Sequence, residues 1–300
     1  MEAATDDHNK TRKNSIMSII IDNLSYIYMK GSPLEKEALE NINLTINQGE
    51  FVGIIGHTGS GKSTLIQHFN GILKPTSGKV VVEGINTSGK SLKELRKKVG
   101  LVFQYPEHQL FEETVYKDVA FGLKQLGQNA SEIDKKVRNV IEIVGLEENV
   151  LEKSPFELSG GQKRRVAIAG VLVMQPSILV LDEPAAGLDP KGRNEIFGFL
   201  QKLYKEEKIT VIIVSHNMEE VAKIVNRVIV MSSGKIVMDG NTSEIFNDVS
   251  ALESIGLSAP QITYLMKRLK KEISGLRDDI FTVDEAKKEI LRYLMGDAHD

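Results

Sequence analysis

Short apolar segments rich in β-branched residues recur along the chain, and helical stretches separate them. The segments lie at residues 51–55, 79–82, 100–103, 178–181, 210–214 and 227–230. Consecutive parallel strands need a long crossover, so strands that alternate with helices predict a mainly parallel sheet with both faces covered. The fold class predicted for most of the chain is therefore α/β.

Two parts of the chain depart from this alternation. Residues 18–46 alternate apolar and polar side chains around a turn at residues 31–33, which predicts an antiparallel β layer joined to the parallel core. Residues 113–159 are mostly helical, with Ile133, Val137, Val140, Ile141 and Val144 at helical spacing. Because Gly145 ends this run, we interpret the stretch from about 105 to 165 as a helical subdomain inserted between two core strands.

The last part of the chain, from about residue 247, shows two amphipathic helices. Pro260 marks the start of the first, whose predicted apolar stripe consists of Ile262, Leu265, Leu269 and Ile273. Thr282 and Glu285 have the spacing of a capping box at the start of the second. The predicted organisation is a disordered lead-in at residues 1–17, a main α/β domain at residues 18–246 and a helical extension at residues 247–300.

The composition excludes several functions. The 38 Lys and Arg residues do not outnumber the 41 Asp and Glu residues, so the chain lacks the basic excess that duplex-binding proteins use, and nucleic acid is a poor candidate partner. The absence of cysteine excludes disulfides and thiolate metal sites and fits a reducing cytosol. The longest apolar candidate, residues 166–174, is far shorter than the roughly 18 residues of a spanning helix. We expect a chain that does not itself cross a membrane.

The first apolar segment runs directly into a glycine-rich loop. The loop reads Gly56, His57, Thr58, Gly59, Ser60, Gly61, Lys62 and Ser63, which fits the phosphate-binding pattern G-x-x-x-x-G-K-[ST]. Its glycines allow backbone N–H groups to converge on phosphate oxygens beside a helix N-terminus. We expect Lys62 to reach the β- and γ-phosphates, Ser63 to ligate Mg²⁺ and Thr64 to contact phosphate. This phosphate loop (residues 56–63) predicts a nucleotide site, but it does not separate one class of nucleotide-dependent enzyme from another.

Two carboxylates follow another apolar segment, residues 178–181. Parallel strands present their carboxyl ends at one edge of the sheet, so Asp182 and Glu183 are expected beside the phosphate loop. We expect Asp182 to hold the magnesium shell and Glu183 to orient and deprotonate an attacking water. His216 follows the segment at residues 210–214 and, by the same argument from position, is expected to hydrogen-bond the γ-phosphate or the water.

A five-residue motif stands between the helical insert and the helix after it. It reads Leu158, Ser159, Gly160, Gly161 and Gln162. An ordinary N-cap is the alternative interpretation, because Ser159 can cap that helix and the glycines can form a turn. Downstream of a phosphate loop and upstream of an acidic strand end, however, the motif resembles the signature of ABC ATPases.

This resemblance implies a head-to-tail dimer. In the family the signature clamps the ATP that the opposite subunit holds, so Ser159 and Gly161 are expected to contact the partner's nucleotide. By the same resemblance, Gln104 corresponds to the glutamine that senses magnesium and links the site to the membrane subunit, and Asp189 to the loop that crosses the dimer interface. Tyr28 resembles the aromatic residue that stacks on adenine, with Tyr26 as the alternative.

Several stretches are similar to the energy-coupling factor group of ABC transporters, which imports vitamins and some metal ions. They are residues 56–61, 109–115, 155–158 and 184–190. The His-Thr pair of the phosphate loop is most similar to the second of that group's two ATPase subunits. The resemblance implies an ATP hydrolase that uses ATP and Mg²⁺ at the cytoplasmic face of the membrane. Its implied partners are a related ATPase, a transmembrane coupling protein and a substrate-binding membrane protein.

Other functions remain open at this point. The near alternative is the ATPase of an importer that relies on a separate binding protein. An ABC ATPase of DNA repair would carry long coiled coils where this chain has a compact helical insert, and a phosphate-loop kinase would not need residues 158–162. The transported substrate is not encoded in this chain if another subunit determines specificity.

Overall fold

The structure is a computed structural model, and it describes residues 17–295. The lead-in predicted at residues 1–17 lies almost wholly outside the described residues, as does the end of the extension. Within the described part the strands are β1 (Met17–Tyr28), β2 (Lys36–Asn47), β3 (Phe51–Ile55), β4 (Ser77–Val82), β5 (Ile85–Asn86), β6 (Val99–Val102), β7 (Ile178–Asp182), β8 (Thr210–Val214), β9 (Arg227–Ser232) and β10 (Lys235–Asn241).

The helices cover these strands and form the insert and the tail. They are α1 (Lys62–Phe69), α2 (Leu92–Lys98), α3 (Val115–Gln125), α4 (Ala130–Ile143), α5 (Gly160–Leu172), α6 (Pro190–Glu207), α7 (Met218–Ile224), α8 (Thr242–Asn247), α9 (Val249–Ser254), α10 (Gln261–Glu272) and α11 (Val283–Leu294). None of the helices within residues 17–295 has the length and apolar character needed to cross a membrane.

The core is a six-stranded sheet in the order β10-β9-β3-β8-β7-β6. Strands β9, β3, β8, β7 and β6 run parallel, while β10 pairs antiparallel with β9 at one edge. Every residue of β3, β7 and β8 is buried, as expected for central strands covered by helices on both faces. This arrangement confirms the predicted α/β class.

A second sheet, in the order β2-β1-β4-β5, is antiparallel. The antiparallel layer predicted for residues 18–46 is therefore present as β1 and β2. The assignment of residues 79–82 to the parallel core was wrong, because this segment belongs to β4 and pairs antiparallel with β1. Val80 and Val82 are buried, whereas Val81 is only half-buried. A run of valines suggests a strand that is buried on both faces, but β4 is fully buried on only one face.

The helical insert consists of α3, α4 and α5. The five predicted apolar positions of α4 and its end lie in the main core cluster: Ile133, Val137, Val140, Ile141 and Val144. Gly145 has φ of +68°, a conformation that ends the helix directly after Val144.

The helical extension packs on the main domain. Leu252, Leu257 and Phe281 belong to the same core cluster as the central sheet. The capping box predicted at Thr282 and Glu285 is present at the start of α11.

One part of the predicted stripe in α10 is wrong. Leu265 is 47% exposed, and the fully buried side chains of this helix are Thr263 and Met266. The Thr263 hydroxyl donates to the carbonyl of Ile280 at 3.1 Å, and this hydrogen bond allows a polar residue to take a core position.

Candidate active site

A cleft of about 420 Å³ opens where the carboxyl ends of the parallel strands meet β1 and β2. Its lining residues are Tyr28, Lys36, Ala38, Thr58, Gly59, Gly61, Lys62, Ser63, Thr64, Gln104, Asp182, Glu183 and His216. The strand ends therefore bring together residues that are far apart in the chain, as the sequence predicts for an edge of a parallel sheet.

The phosphate loop wraps the start of α1 in a conformation that requires glycine. Gly61 has φ of +103°, and a Cβ there would lie 2.7 Å from the carbonyl oxygen of Ala38. A Cβ on Gly56 would lie 2.2 Å from the carbonyl oxygen of Met231. Gly56 and Ser60 are buried beneath the loop, so the cleft is lined by Thr58, Gly59 and Gly61 instead.

Lys62 lies in the first turn of α1 with its ammonium against the loop. Its Nζ donates to the carbonyl oxygens of Gly56 at 2.7 Å and His57 at 2.8 Å. Burial lowers the pKa of the Lys62 ammonium, and the nearby carboxylates of Glu183 and Asp182 oppose that shift. With two of its three N–H groups on the loop, the ammonium has a further donor to offer to an anion in the cleft.

The first turn of α1 is suited to receive an anion. Gly61 takes the N-cap position and offers no capping side chain, so the first N–H groups of the helix keep their capacity to donate. Ser63, the residue after Lys62, lines the cleft together with Asp182, the last residue of β7. Asp182 is buried, and burial raises the pKa of its carboxyl, while Ser63 and Lys62 lower it.

Glu183 and His216 form a pair at the outer side of the cleft. The Glu183 Oε1 and the His216 Nδ1 lie 2.7 Å apart, with the imidazole largely exposed and the carboxylate mostly covered. The backbone of Glu183 has φ of +50°, and its amide donates to the carbonyl of Val214 at 2.9 Å. A residue held in this sparsely populated conformation at a functional cleft indicates that the carboxylate position is fixed by the surrounding strands.

Tyr28 rather than Tyr26 lines the cleft. The Tyr28 hydroxyl lies 3.2 Å from Thr64 Oγ1, and its ring is 37% exposed. Tyr26 packs against the core between the antiparallel sheet and α1, which includes Leu65 and Phe69, and its ring meets the His68 ring edge-on. Gln104, which follows β6 by two residues, also lines the cleft.

Sequence reasoning missed Lys36 and Ala38, which line the same wall as Tyr28. Lys36 is the register partner of Tyr28 across the β1-β2 pair. A prediction of that register from the turn at residues 31–33 would have found it.

The signature residues do not line the cleft of their own chain. Ser159 caps α5 in a capping box with Gln162, so the ordinary N-cap interpretation holds for the local structure. Gly160 and Gly161 are nevertheless helical and face open space, because no atom of the described residues lies within 4 Å of where a Cβ on either would stand. Leu158 is buried, and Asp189 caps α6 by accepting from the Gly192 amide at 2.8 Å.

The fold and the cleft define an ATPase of the ABC transporter class. The family model described as ABC transporter matches residues 39–186. Among solved structures, the chain is similar to cbiO1 from Clostridium perfringens, part of the ABC transporter complex cbiONQ, with a TM-score of 0.72 and 42% identity over 84% of this chain and 99% of that one. It is also similar to the dimeric ATP-binding cassette MJ0796 bound to ADP and Pi, with a TM-score of 0.67 and 33% identity over 75% of this chain and 98% of that one.

Curated relatives narrow the class. The chain is 65% identical over 278 residues to the energy-coupling factor transporter ATP-binding protein EcfA2 of Acetivibrio thermocellus, covering 93% of this chain and 99% of the relative. It is 57% identical over 279 residues to the protein of the same description from Clostridium tetani, covering 92% and 97%. The chain belongs to the family of energy-coupling factor transporter ATP-binding proteins, and its activity is ATP binding and hydrolysis.

Proposed function

We propose that two ATPase subunits sandwich two molecules of ATP, and that this chain supplies one side of each site. One observation carries the proposal. The cleft gathers the phosphate loop, Asp182, Glu183 and His216 of this chain, whereas the start of α5 at Ser159 is exposed outside it. The second anion receptor is thus free to face the nucleotide of another subunit.

Within its own cleft, the phosphate loop and the start of α1 hold the phosphates. Lys62 compensates the charge of the β- and γ-phosphates, and Thr64 adds a contact. Tyr28 stacks on the adenine ring, which its exposed face at the cleft wall supports.

The oxygen ligands for Mg²⁺ are supplied by Ser63, Asp182 and Gln104. The Ser63 hydroxyl and the buried Asp182 carboxylate both line the cleft, and such hard oxygen donors suit magnesium. Within residues 17–295 no cluster of three or more His, Asp or Glu side chains is present to hold a metal. A cation here takes few protein ligands and completes its shell with phosphate and water, as magnesium does at nucleotide sites.

Glu183 is the general base. It accepts a proton from the water that attacks the γ-phosphorus, and the P–O bond to the β-phosphate breaks as ADP leaves. His216, 2.7 Å from the carboxylate, keeps Glu183 oriented and faces the γ-phosphate side of the cleft. Gln104 and Asp189 connect this site with the membrane partner and with the opposite subunit.

The main domain at residues 18–246 performs this chemistry for an importer of vitamins or metal ions. We propose a related ATPase as the partner in a heterodimer, together with a transmembrane coupling protein and a substrate-binding membrane protein at the cytoplasmic face. The name of the curated relatives supports a role in an energy-coupling factor transporter. The alternative remains the ATPase of an importer that uses a separate binding protein.

The catalytic assignment is tested with Glu183→Gln. We expect ATP affinity to be retained and turnover to fall by about 10² to 10⁴-fold, the usual contribution of a general base. Unchanged hydrolysis would remove Glu183 from this role. The assembly is tested by co-expressing the chain with a related ATPase and extracting both from membranes, where recovery of this chain only as a self-pair would contradict the heterodimer.

A further inference from the structure

The helical extension contacts the phosphate loop and the first turn of α7. His57 of the phosphate loop lies with its Nε2 3.1 Å from the carbonyl oxygen of Ile255, just beyond α9. Glu219, in the first turn of α7 and close behind His216, accepts from the amide of Gln261 at 3.2 Å. The extension is therefore hydrogen-bonded to the phosphate loop and to α7, in addition to packing on the core.

His57 connects the extension with the catalytic lysine through its own backbone. While its ring reaches Ile255, its carbonyl oxygen accepts from Lys62 Nζ at 2.8 Å and from the Ser60 amide at 3.1 Å. A shift of the His57 ring would move the carbonyl that positions both groups. The His57 side chain is exposed and does not line the cleft, and its hydrogen-bond partner is Ile255 of the extension.

The turn that receives the ring is anchored. Leu252 and Leu257 are buried on either side of it, and the Leu257 amide donates to the Leu252 carbonyl at 2.9 Å. Gly256 has φ of +78°, and a Cβ there would lie 2.9 Å from His57 Nε2. Only glycine provides both the left-handed conformation and the space for the imidazole.

We propose that the turn at residues 255–256 is a positioning element for the phosphate loop, and that it acts through the hydrogen bond from His57 to Ile255. In this arrangement the extension sets the affinity for ATP from within the same chain. His57 is a positioning residue, since its ring acts on the nucleotide through Lys62 and Ser60. The inference rests on the proposed function, because it requires that the phosphate loop binds ATP.

The test is a titration of the full-length chain with Mg-ATP, alongside thermal unfolding. Loss of one neutral hydrogen bond corresponds to about a fivefold change in an equilibrium constant, so His57→Ala is expected to weaken ATP binding by about that factor. His57→Gln retains an amide donor near the position of Nε2 and is expected to restore most of the affinity.

Gly256→Ala provides the second arm. Its Cβ displaces the His57 ring, so in wild type it weakens ATP binding, whereas in the His57→Ala background it adds nothing to the loss. Gly127→Ala is the matched control, because Gly127 also has positive φ, at +73°, but no neighbour within 4 Å of its Cβ position among the described residues. It is expected to lower the melting temperature without changing ATP affinity.

The outcomes are distinct. Additive losses from His57→Ala and Gly256→Ala, or no rescue by His57→Gln, would overturn the positioning role. Should Gly256→Ala fail to fold, the pair His57→Ala and His57→Gln still decides the matter. Absence of ATP binding by the wild-type chain would instead count against the proposed function.

Discussion

Two helices of this protein begin with serine and glycines, and their surroundings are opposite. At α1, two glycines of the phosphate loop are enclosed, since a Cβ on Gly61 or Gly56 would meet backbone oxygens of neighbouring strands. At α5, Gly160 and Gly161 face open space and Ser159 caps its own helix. Both starts offer the N–H groups and the dipole that bind anions.

The difference indicates which site is complete within one chain. Glycine in a helix costs about 0.5–1 kcal/mol of stability relative to alanine, so a glycine at a helix start indicates that a side chain would not fit there. At α1 the backbone oxygens of Ala38 and Met231, in the same chain, leave no space for a side chain on Gly61 or Gly56. At α5 the Cβ positions of Gly160 and Gly161 are open, which is consistent with the proposed approach of a partner's nucleotide.

Although the start of α5 is exposed, the next turn of the helix is anchored to the rest of the domain by a buried arginine. Arg164, in the second turn, is buried and donates through Nε and Nη2 to both carboxylate oxygens of Glu107, at 3.0 and 2.7 Å. Its Nη1 donates to the carbonyl oxygens of Pro184 at 3.0 Å and Ala186 at 2.7 Å. The signature helix is thus fixed to the segment after Gln104 and to the segment after Glu183.

Replacing this anchor gives the largest expected loss of stability. Arg164→Met leaves Glu107 and two carbonyls without their buried donor, and we expect the free energy of unfolding to fall by about 3 kcal/mol. Denaturant unfolding of the isolated chain measures it. Arg138→Met is the control, since Arg138 pairs with Asp134 and Glu148 on the surface and exposed pairs contribute about 1 kcal/mol or less each. Equal losses would show that α5 is not specially anchored.

Ser159→Asp separates the two roles of the signature serine. Asp is as good an N-cap as Ser, so the stability is expected to change by less than about 0.5 kcal/mol. Its charge repels phosphate of a partner's nucleotide, and we expect hydrolysis by the assembled pair to drop about 100-fold or more, while the isolated chain still binds ATP. Asn129→Asp places the same charge at the exposed N-cap of α4 and serves as control. If Ser159→Asp and Asn129→Asp both hydrolyse ATP normally, the start of α5 has no role in hydrolysis that the start of α4 lacks.

The sequence alone predicts most of the residues of the cleft. The phosphate loop, the acidic pair and His216 were predictable because each directly follows an apolar strand, and parallel strands end at one edge. Local capping was predictable too, since Thr282 with Glu285 and Ser159 with Gln162 carry their own spacing.

What the sequence did not reveal depends on contacts between distant segments. Arg164 pairs with Glu107 across 57 positions, and His57 meets Ile255 across 198. Neither spacing has a local signature. The strand at residues 79–82 was misplaced for a related reason, because the sheet that a valine-rich run joins is decided by its partner strand rather than by its own composition.

Gly61→Ala tests the enclosed side of the comparison. The positive φ and the approach to 2.7 Å of the Ala38 oxygen are expected to reduce the free energy of unfolding by about 2 kcal/mol and to abolish ATP binding. Gly59→Ala is the matched control for stability, because its φ of +82° carries similar backbone strain but its Cβ position is free of described atoms within 4 Å. Gly59 lines the cleft, so only the free energies of unfolding of the two variants are compared. Comparable effects in both variants would mean that backbone strain, and not the close packing, explains the glycine at residue 61.

Gly160→Ala tests the open side and has the smallest expected effect, of the opposite sign. Gly160 is the first residue of α5, and alanine fits its helical conformation without contact. We expect the isolated chain to gain about 0.5 kcal/mol in stability, because alanine loses less backbone entropy in a helix. In the proposed sandwich the added methyl would face the partner's nucleotide, so ATP hydrolysis by the assembled pair is expected to fall. A variant that gained stability and kept full hydrolysis would leave Gly160 without any reason to be glycine, and the contrast between the two helix starts would then rest on Ser159 and Gly161 alone.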